Sequence, residues 1–312
     1  MSIQNPKNVV NYRQANRMED GSMKFLPKDL RDEFEIATRK LPDIREIGYP
    51  LINSSDVLRA HYVLVDYFTD RSANANEENM LNGIRDANLL GSAIGRQCVS
   101  FGGKTKYKSA IEICSALFIS LTKNHPFVDG NKRTALLTLL YELDRYGYMP
   151  QVGVKQFERL VLAVAKPEGL KSDYKYVYAK FATKGDADVK TVTYLLRRMT
   201  KKKDHSYHIN VTMREFCHAL SGYGVKFNED GNKMKFEYTK PAKWRYPQKK
   251  LMCTTPFHGW TRTVGAGTAR DTIESLDLYA QFADYKSFLQ NTDPLYKLVE
   301  DFQVPLRRLK DE

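Results

Sequence analysis

The chain has 312 residues, of which 42% are hydrophobic, and its net charge is +12. A chain of this length suggests about two domains, and its apolar content excludes wholesale disorder. No apolar run approaches the roughly 18–20 residues that span a bilayer, and the first residues lack the apolar core of a signal peptide. The four cysteines form no CxxC pair. We therefore expect a cytoplasmic protein with no membrane partner, no disulfide framework and no cysteine metal site.

The positive charge is concentrated in one part of the chain. Residues 190–270 contain 17 lysines and arginines against 5 aspartates and glutamates. Such a segment attracts polyanions through counterion release. The alternative is a solvated basic surface that maintains solubility.

Apolar periodicity predicts the elements of the first half of the chain. The first 52 residues are expected to form an N-terminal arm with a short helix over 27–40. The following elements are, in order, an amphipathic helix capped by Ser54 or Ser55, a loop over 69–80, a short helix over 89–94, a strand-like piece over 99–103 that ends in a glycine turn, and helices over 109–123, 134–146 and 154–165.

The second half of the chain has a different residue pattern, which alternates in the manner of strands. Polar, glycine-containing residues 183–190 predict a domain boundary. The elements beyond it are a helix over 213–220, strands over 225–229 and 233–238 joined by an Asp230-Gly231 turn, a third strand over 251–257, a helix from 267 to about 279, and a helical tail from 281 that Pro294 and Pro305 break.

One polar segment lies between two apolar helices and runs into the second of them. It reads His-Pro-Phe-Val-Asp-Gly-Asn-Lys-Arg over 125–133. His125 can accept a proton from a hydroxyl group near neutral pH, and Asp129 offers hard carboxylate oxygens to Mg²⁺. Phe127 is expected to bury itself and fix the loop.

The end of the same segment suits a polyphosphate. Gly130 lets the backbone approach a ligand, and the N–H groups of a helix start bind anions together with Lys132 and Arg133. The Asn131 amide can bind a phosphate oxygen. Phosphoryl or nucleotidyl transfer depends largely on positioning and charge neutralisation, so this reaction class fits. The alternative is a polar connecting loop with a capping Asp and a chance His.

The segment resembles the Fic motif HPFx[DE]GN[GK]R at every specified position. Lys132, followed by Thr134-Ala135, is most similar to the death-on-curing (Doc) branch. The resemblance extends from about Asn53 to Ala165 and includes residues 83–86, which are similar to the segment that leads into the Doc flap. It implies a mainly α fold with a β-hairpin flap over the active site.

The resemblance also implies roles for individual residues. His125 is the general base for a hydroxyl of a target protein, and Asp129 holds Mg²⁺. The anion hole for ATP or another nucleotide consists of Gly130, Asn131, Lys132 and Arg133. Two further residues, Arg85 and Asp86, either position the flap or form a local ion pair.

Two departures bear on the reaction. AMP-transferring Fic proteins usually have Gly at the position of Lys132 and a second Arg at the position of Leu136. In Doc such a change accompanies a reversed nucleotide, so that the γ-phosphate faces the target. The resemblance therefore favours phosphoryl transfer from ATP, with AMP transfer (AMPylation) as the alternative.

The inhibitory [ST]xxxE[GN] helix of many Fic proteins is matched only in part. Glu168-Gly169 supplies the last pair, but Val164 stands where Ser or Thr is needed. Pro167 also disfavours a helix there. We expect no internal inhibitor, which leaves a separate antitoxin as the restraining partner.

The basic half has a second, shorter resemblance. Thr255–Gly259 followed by Gly267–Ile273 resembles the end of HicA-type mRNA interferase domains, over about 211–278. Lys233 stands where that family has its catalytic His, and a Lys of ordinary pKa is a poor base near pH 7. RNA cleavage is thus disfavoured and RNA binding remains open, with Lys233, Lys235, Lys243 and Arg245 as candidate contacts.

The predicted organisation is an N-terminal arm over 1–52, a Fic/Doc catalytic domain over 53–182, a basic α-β-β-β-α domain over 190–280 and a helical tail over 281–312. The favoured function is a toxin-like transferase acting on a protein hydroxyl, such as that of a translation factor, with the basic domain recruiting it to RNA or the ribosome. The alternatives are a non-catalytic RNA-binding regulator and a residual nuclease that uses Lys233 or His258.

Overall fold

The structure, a computed structural model, describes residues 26–41, 52–70, 80–203, 211–240, 249–278, 288–289 and 293–310. Chain contacts divide it into two compact units. The first unit contains the described residues from 26 to 203 and from 295 to 310, and the second contains those from 211 to 294. No helix in these described ranges is long and apolar enough to cross a membrane.

The first unit is mostly helical, as the sequence predicts. Its helices are α1 (Lys28–Arg39), α2 (Ser54–Asp70), α3 (Ala87–Gly95), α4 (Ala110–Asn124), α5 (Asn131–Arg145), α6 (Val154–Ala165), α7 (Gly169–Asp173), α8 (Lys175–Ala179), α9 (Ala187–Met199), α12 (Pro294–Asp301, from Leu295 onward) and α13 (Gln303–Arg308). Two antiparallel strand pairs accompany them: β1 (Ser100–Phe101) with β2 (Lys104–Thr105), and β3 (Tyr148–Pro150) with β4 (Thr200–Lys202).

Helices α4 and α5 form the centre of this unit. Eleven of the fifteen residues of α4 and twelve of the fifteen residues of α5 are buried. A helix that is enclosed on nearly all sides belongs to a core. Helix α2 packs on α5, α3 and α9 pack on α4, and α6 packs on both. The loop that joins α4 to α5 is therefore held at each end by a fixed helix.

Two helix starts differ from the sequence prediction. Helix α2 is capped by Asn53 rather than by Ser54 or Ser55, because Asn53 and Asp56 exchange backbone-to-side-chain hydrogen bonds of 2.9 Å. Helix α5 begins at Asn131 instead of residue 134. Gly130 has a φ of 70° and provides the left-handed turn that starts the helix within the motif.

A short β-hairpin follows α3. Strands β1 and β2 are joined through Gly102 and Gly103, whose φ values of 57° and 74° suit a two-residue type I′ turn. The Phe101 side chain is 92% exposed. The strand-like piece and glycine turn predicted over 99–103 are thus one arm and the turn of this hairpin.

The first unit continues past residues 183–190. Helix α9 packs on α4, and β4 follows α9 directly and pairs with β3. The polar stretch is the turn into α9, where Asp186 has a φ of 59° at the N-cap. The sequence pattern of a linker and that of a sharp turn are alike, which explains why the predicted boundary falls before α9.

The C-terminal arm, residues 295–310, also belongs to the first unit. The Phe302 ring meets Phe157 of α6 edge-on, with centroids 5.7 Å apart. Pro294 and Pro305 do not break the helices here. Each lies in a first helical turn, where the missing proline N–H has no helical acceptor to lose.

The second unit has the element order that the sequence predicts. It comprises α10 (Met213–Gly222), an antiparallel sheet of β5 (Lys226–Asp230), β6 (Lys233–Lys240) and β7 (Lys249–Pro256), and α11 (Ala266–Ser275). Thr212 and Glu215 form a capping box at the start of α10. Buried Phe216, Phe236 and Ile273 join helices and sheet in one core.

A buried carboxyl group lies in the centre of the first unit. Glu142 on α5 has no exposed surface, and burial raises its pKa from 4.5 to about 8 because the charged form loses hydration. The Cys114 thiol lies beside it. Glu142 is therefore mainly protonated in the folded protein at neutral pH.

We predict that Glu142→Gln makes stability less dependent on pH. The folded pKa of Glu142 lies above its unfolded value, so its contribution is complete below about pH 4.5 and is lost as pH rises towards 8. Between about pH 5 and about pH 8, the wild-type protein should lose on the order of 1–3 kcal/mol more unfolding free energy than the variant. Urea unfolding at about pH 5 and about pH 8 measures it. Glu35→Gln, at an exposed site on α1, is the control, and parallel wild-type and Glu142→Gln curves would contradict the assignment.

Candidate active site

The loop between α4 and α5 contains the motif. His125 ends α4 in the left-handed conformation, with a φ of 48°, and Gly130 precedes α5 with a φ of 70°. Two left-handed residues turn the chain within six positions. His125 is half-buried, so its imidazole remains accessible at the loop entrance.

Phe127 and Asn131 fix the shape of this loop. Phe127 is 1% exposed, and its backbone N–H donates to Asn131 Oδ1 at 2.9 Å. The Asn131 Nδ2 donates in return to the Phe127 carbonyl at 3.0 Å. The Asn131 amide group therefore holds the loop, and its binding of a phosphate oxygen stays a prediction.

Asp129 and Gly130 form the base of the loop. Asp129 accepts hydrogen bonds from the Leu81 N–H at 3.2 Å and from the Gly130 N–H at 2.5 Å. A Cβ on residue 130 would displace the flexible end of the Met80 side chain, and the φ of 70° strains any other residue, so backbone conformation is what favours glycine there.

Asp129 is a suitable single ligand for Mg²⁺. The described residues contain no group of three or more His, Cys, Asp and Glu side chains placed to hold a metal. Mg²⁺ in nucleotide sites usually takes one or two carboxylates and completes its shell with phosphates and water. A half-buried carboxylate next to a helix N-terminus fits that donor set.

The two cations of the motif lie in the first turn of α5 and have different surroundings. The Lys132 ammonium group donates to the Lys310 carbonyl of the C-terminal arm at 2.9 Å. Arg133 is 3% exposed, and its guanidinium carbon lies 4.5 Å from the centre of the Phe68 ring on α2. Lys132 is thus at the surface of the site, and Arg133 is part of its wall.

Residues 83–86 run along the loop as a short extra strand. Ile84 forms an antiparallel bridge with Phe127, and the Arg85 N–H donates to the Pro126 carbonyl at 2.8 Å. The Arg85 side chain donates to the Asn124 carbonyl at 3.3 Å. Asp86 caps α3 by accepting from two backbone N–H groups. Both side chains therefore position backbone next to the loop.

His61 on α2 is a site residue that sequence reasoning missed. Its ring is fully buried and stacks on Phe127, with centroids 4.1 Å apart and planes inclined by 9°. Its Nδ1 lies 3.1 Å from Thr134 Oγ1. Burial lowers the pKa of His61 to about 3, so the ring is neutral. The sequence feature that could have identified His61 is a single histidine among the mainly apolar residues of α2.

The other candidate residues belong to the second unit or to the undescribed part of the chain. Lys233 and Lys235 are exposed on β6 of the second unit, and Lys235 pairs with Asp230 at 2.5 Å. A cleft of about 1000 Å³ in this unit is lined by His258, Arg262 and Asn232, among others. Lys243 and Arg245 lie outside the described residues.

Comparison with known proteins gives two matches. The model of the Fic/DOC family matches residues 51–143. A curated relative, the Toxin Doc of Mycolicibacterium smegmatis, is 42% identical over 52 residues, which are 17% of this chain. The match covers only 40% of that relative's length. No solved structure matches. Residues 51–143 are therefore similar to the Fic/DOC family, and the chain spans less than half the length of the curated relative that it matches.

Proposed function

We propose that the chain is a toxin-like transferase that moves a phosphoryl group from ATP to a hydroxyl of a target protein. The observation that carries the proposal is the loop itself. It holds a partly accessible imidazole at one end and a helix N-terminus with two cations at the other, within nine residues. Base and phosphate site thus lie on one short segment that Phe127 and Asn131 clamp.

His125 takes the proton of the target hydroxyl as its oxygen attacks the γ-phosphorus. The bond between that phosphorus and the β–γ bridging oxygen breaks, and ADP leaves. The first-turn N–H groups of α5, with Lys132 and Arg133, offset the phosphate charge. A Mg²⁺ ion held by Asp129 would supply further neutralisation of that charge.

The surroundings of residues 132 and 136 support phosphoryl transfer over AMP transfer. Lys132 brings a cation to the rim of the site. Leu136, at the position where AMP-transferring Fic proteins have an arginine, is fully buried in the core. The charge pattern thus matches the Doc-like form of the motif. AMP transfer is the alternative outcome of the test below.

The geometry after α6 supports restraint by a separate antitoxin. Helix α6 ends at Ala165, and Glu168 lies in a left-handed turn and pairs with Lys171. The Glu-Gly pair therefore forms the N-cap and the first residue of the five-residue helix α7, and it does not continue α6. The curated relative is named a toxin, which fits a target protein and a partner that neutralises the activity.

We predict that label from γ-³²P ATP, and not from α-³²P ATP, is transferred to a protein in a cytoplasmic extract with Mg²⁺. His125→Ala should reduce the transfer by about a hundredfold or more, the scale of general-base catalysis. His218→Ala, at an exposed site of the second unit, should leave it unchanged. Label from the α position would establish AMP transfer instead. Absence of any His125-dependent label, with nucleotide still bound, would favour the non-catalytic regulator.

We further predict that His61 acts through the loop. His61→Ala removes the ring under Phe127 and should lower transfer about tenfold or more, because small misplacements of a catalytic group slow reactions strongly. His61→Phe keeps the stacked ring and should retain more activity. Since the pKa of His61 is about 3, neither variant should move the pH profile between about 5 and 8.

The control for His61 is Val63→Ala, which truncates another buried side chain of α2. It should lower stability by an amount typical of a core methyl loss, about 1–3 kcal/mol, without a comparable loss of transfer. Equal losses of transfer in Val63→Ala and His61→Ala would mean that His61 only stabilises the fold.

A further inference from the structure

A basic and aromatic surface covers α8, α9 and the turn between them, outside the family match. Residues 168–203 contain ten lysines and arginines against four aspartates and glutamates. The described residues of the second unit are more balanced, with nine lysines and arginines against eight aspartates and glutamates. The α8–α9 surface is defined by Tyr176, Lys180, Lys184, Tyr194 and Arg198.

Tyr194 lies at the centre of this surface between two cations. The Lys180 ammonium lies 5.1 Å from the centre of the Tyr194 ring, and the Arg198 guanidinium lies 5.6 Å from it. Arg198 also donates to the Tyr194 hydroxyl at 2.8 Å. This hydrogen bond and the two positive charges lower the pKa of Tyr194. Cations and aromatic rings are thus interleaved at contact distance.

The pattern extends to both sides of Tyr194. The Lys184 ammonium lies 5.5 Å from the ring centre of Phe181, whose ring in turn lies 6.1 Å from that of Tyr194. Tyr176 on α8 is 88% exposed. It precedes Lys180 by four residues, which places both on one side of the α8 turn.

Three of the four carboxylates of residues 168–203 form ion pairs with cations outside the α8–α9 surface. Asp186 pairs with Lys106 and Arg96, and Asp188 pairs with Lys123. By contrast, Lys180, Lys184 and Arg198 take part in no ion pair within the described residues. The surface therefore presents positive charge that the fold itself leaves available.

We propose that the α8–α9 surface binds single-stranded nucleic acid, with phosphates at Lys180, Lys184 and Arg198 and a base stacked on Tyr176. Exposed cations alone would attract any polyanion. The exposed Tyr176 ring and the interleaved aromatics favour unpaired bases, which offer a π-face that a duplex or an acidic protein does not. This site belongs to the first unit and is distinct from Lys233 and Lys235 of the second.

Binding of fluorescein-labelled oligo-rU, oligo-dT and a duplex to the full-length chain tests the proposal, by fluorescence polarisation at about 50 to 200 mM salt. Lys180→Gln/Arg198→Gln should weaken oligo-rU binding at least tenfold and reduce the salt slope by roughly two. Tyr176→Ala should weaken single-strand binding several-fold and leave the salt slope unchanged.

Two double variants with the same change in charge are the controls. Lys28→Gln/Lys40→Gln, at exposed sites of α1 and its C-cap, should retain wild-type affinity. Lys226→Gln/Lys233→Gln tests the second unit. A loss confined to that pair, equal losses in all three double variants, or a preference for the duplex that Tyr176→Ala does not alter would overturn the proposal. Absence of oligonucleotide binding, with Lys180→Gln/Arg198→Gln abolishing binding of an acidic polypeptide, would assign the surface to a protein partner.

Discussion

The reciprocal hydrogen bonds between the Asn131 amide and the Phe127 backbone are the constraint on which the site depends. They close the loop into a ring that spans the start of α5, and the buried Phe127 side chain then fixes this ring to His61 of α2. An amide that satisfies both a donor and an acceptor of one residue leaves few alternative loop shapes. The positions of His125 and Asp129, on either side of Phe127, thus depend on these hydrogen bonds. The hydrogen-bonded groups themselves touch no reacting atom.

The same hydrogen bonds explain which parts of the site could be read from sequence. The motif predicted a loop between two helices and grouped the candidate base and the candidate cations in it, because those residues are contiguous. It also led to the expectation that Asn131 faces the phosphate, since a short polar side chain at a helix start has two equally plausible partners. Only the structure shows that the oxygen and the nitrogen of the Asn131 amide both form hydrogen bonds with the Phe127 backbone. His61 and Lys310 could not be found in this way, because they contact Thr134 and Lys132 from 73 and 178 residues away.

Element types were predictable where periodicity was strong, and boundaries were not. Amphipathic α6 matches its predicted bounds of Val154 and Ala165. The start of α5 was missed because Asn-Lys-Arg is polar on every side, although burial in the core overrides that polarity. The end of the first unit was missed for a related reason. A polar turn with a glycine has the composition of a linker, and only the packing of α9 on α4 distinguishes them.

Because the first unit ends later than the sequence predicts, part of the basic segment belongs to the first unit and not to the second. The segment from 190 to 203, which the sequence groups with the basic second half, belongs to α9 and β4 of the first unit, and most of its basic residues are exposed there. Helix α9 rests on α4, and α4 ends at His125. Nucleic acid on the α8–α9 surface would act on the proposed transfer by locating the chain near a nucleic-acid-bound target. This arrangement would suit the proposed transfer to a hydroxyl of a protein of the translation machinery, because recruitment raises the local concentration of the target.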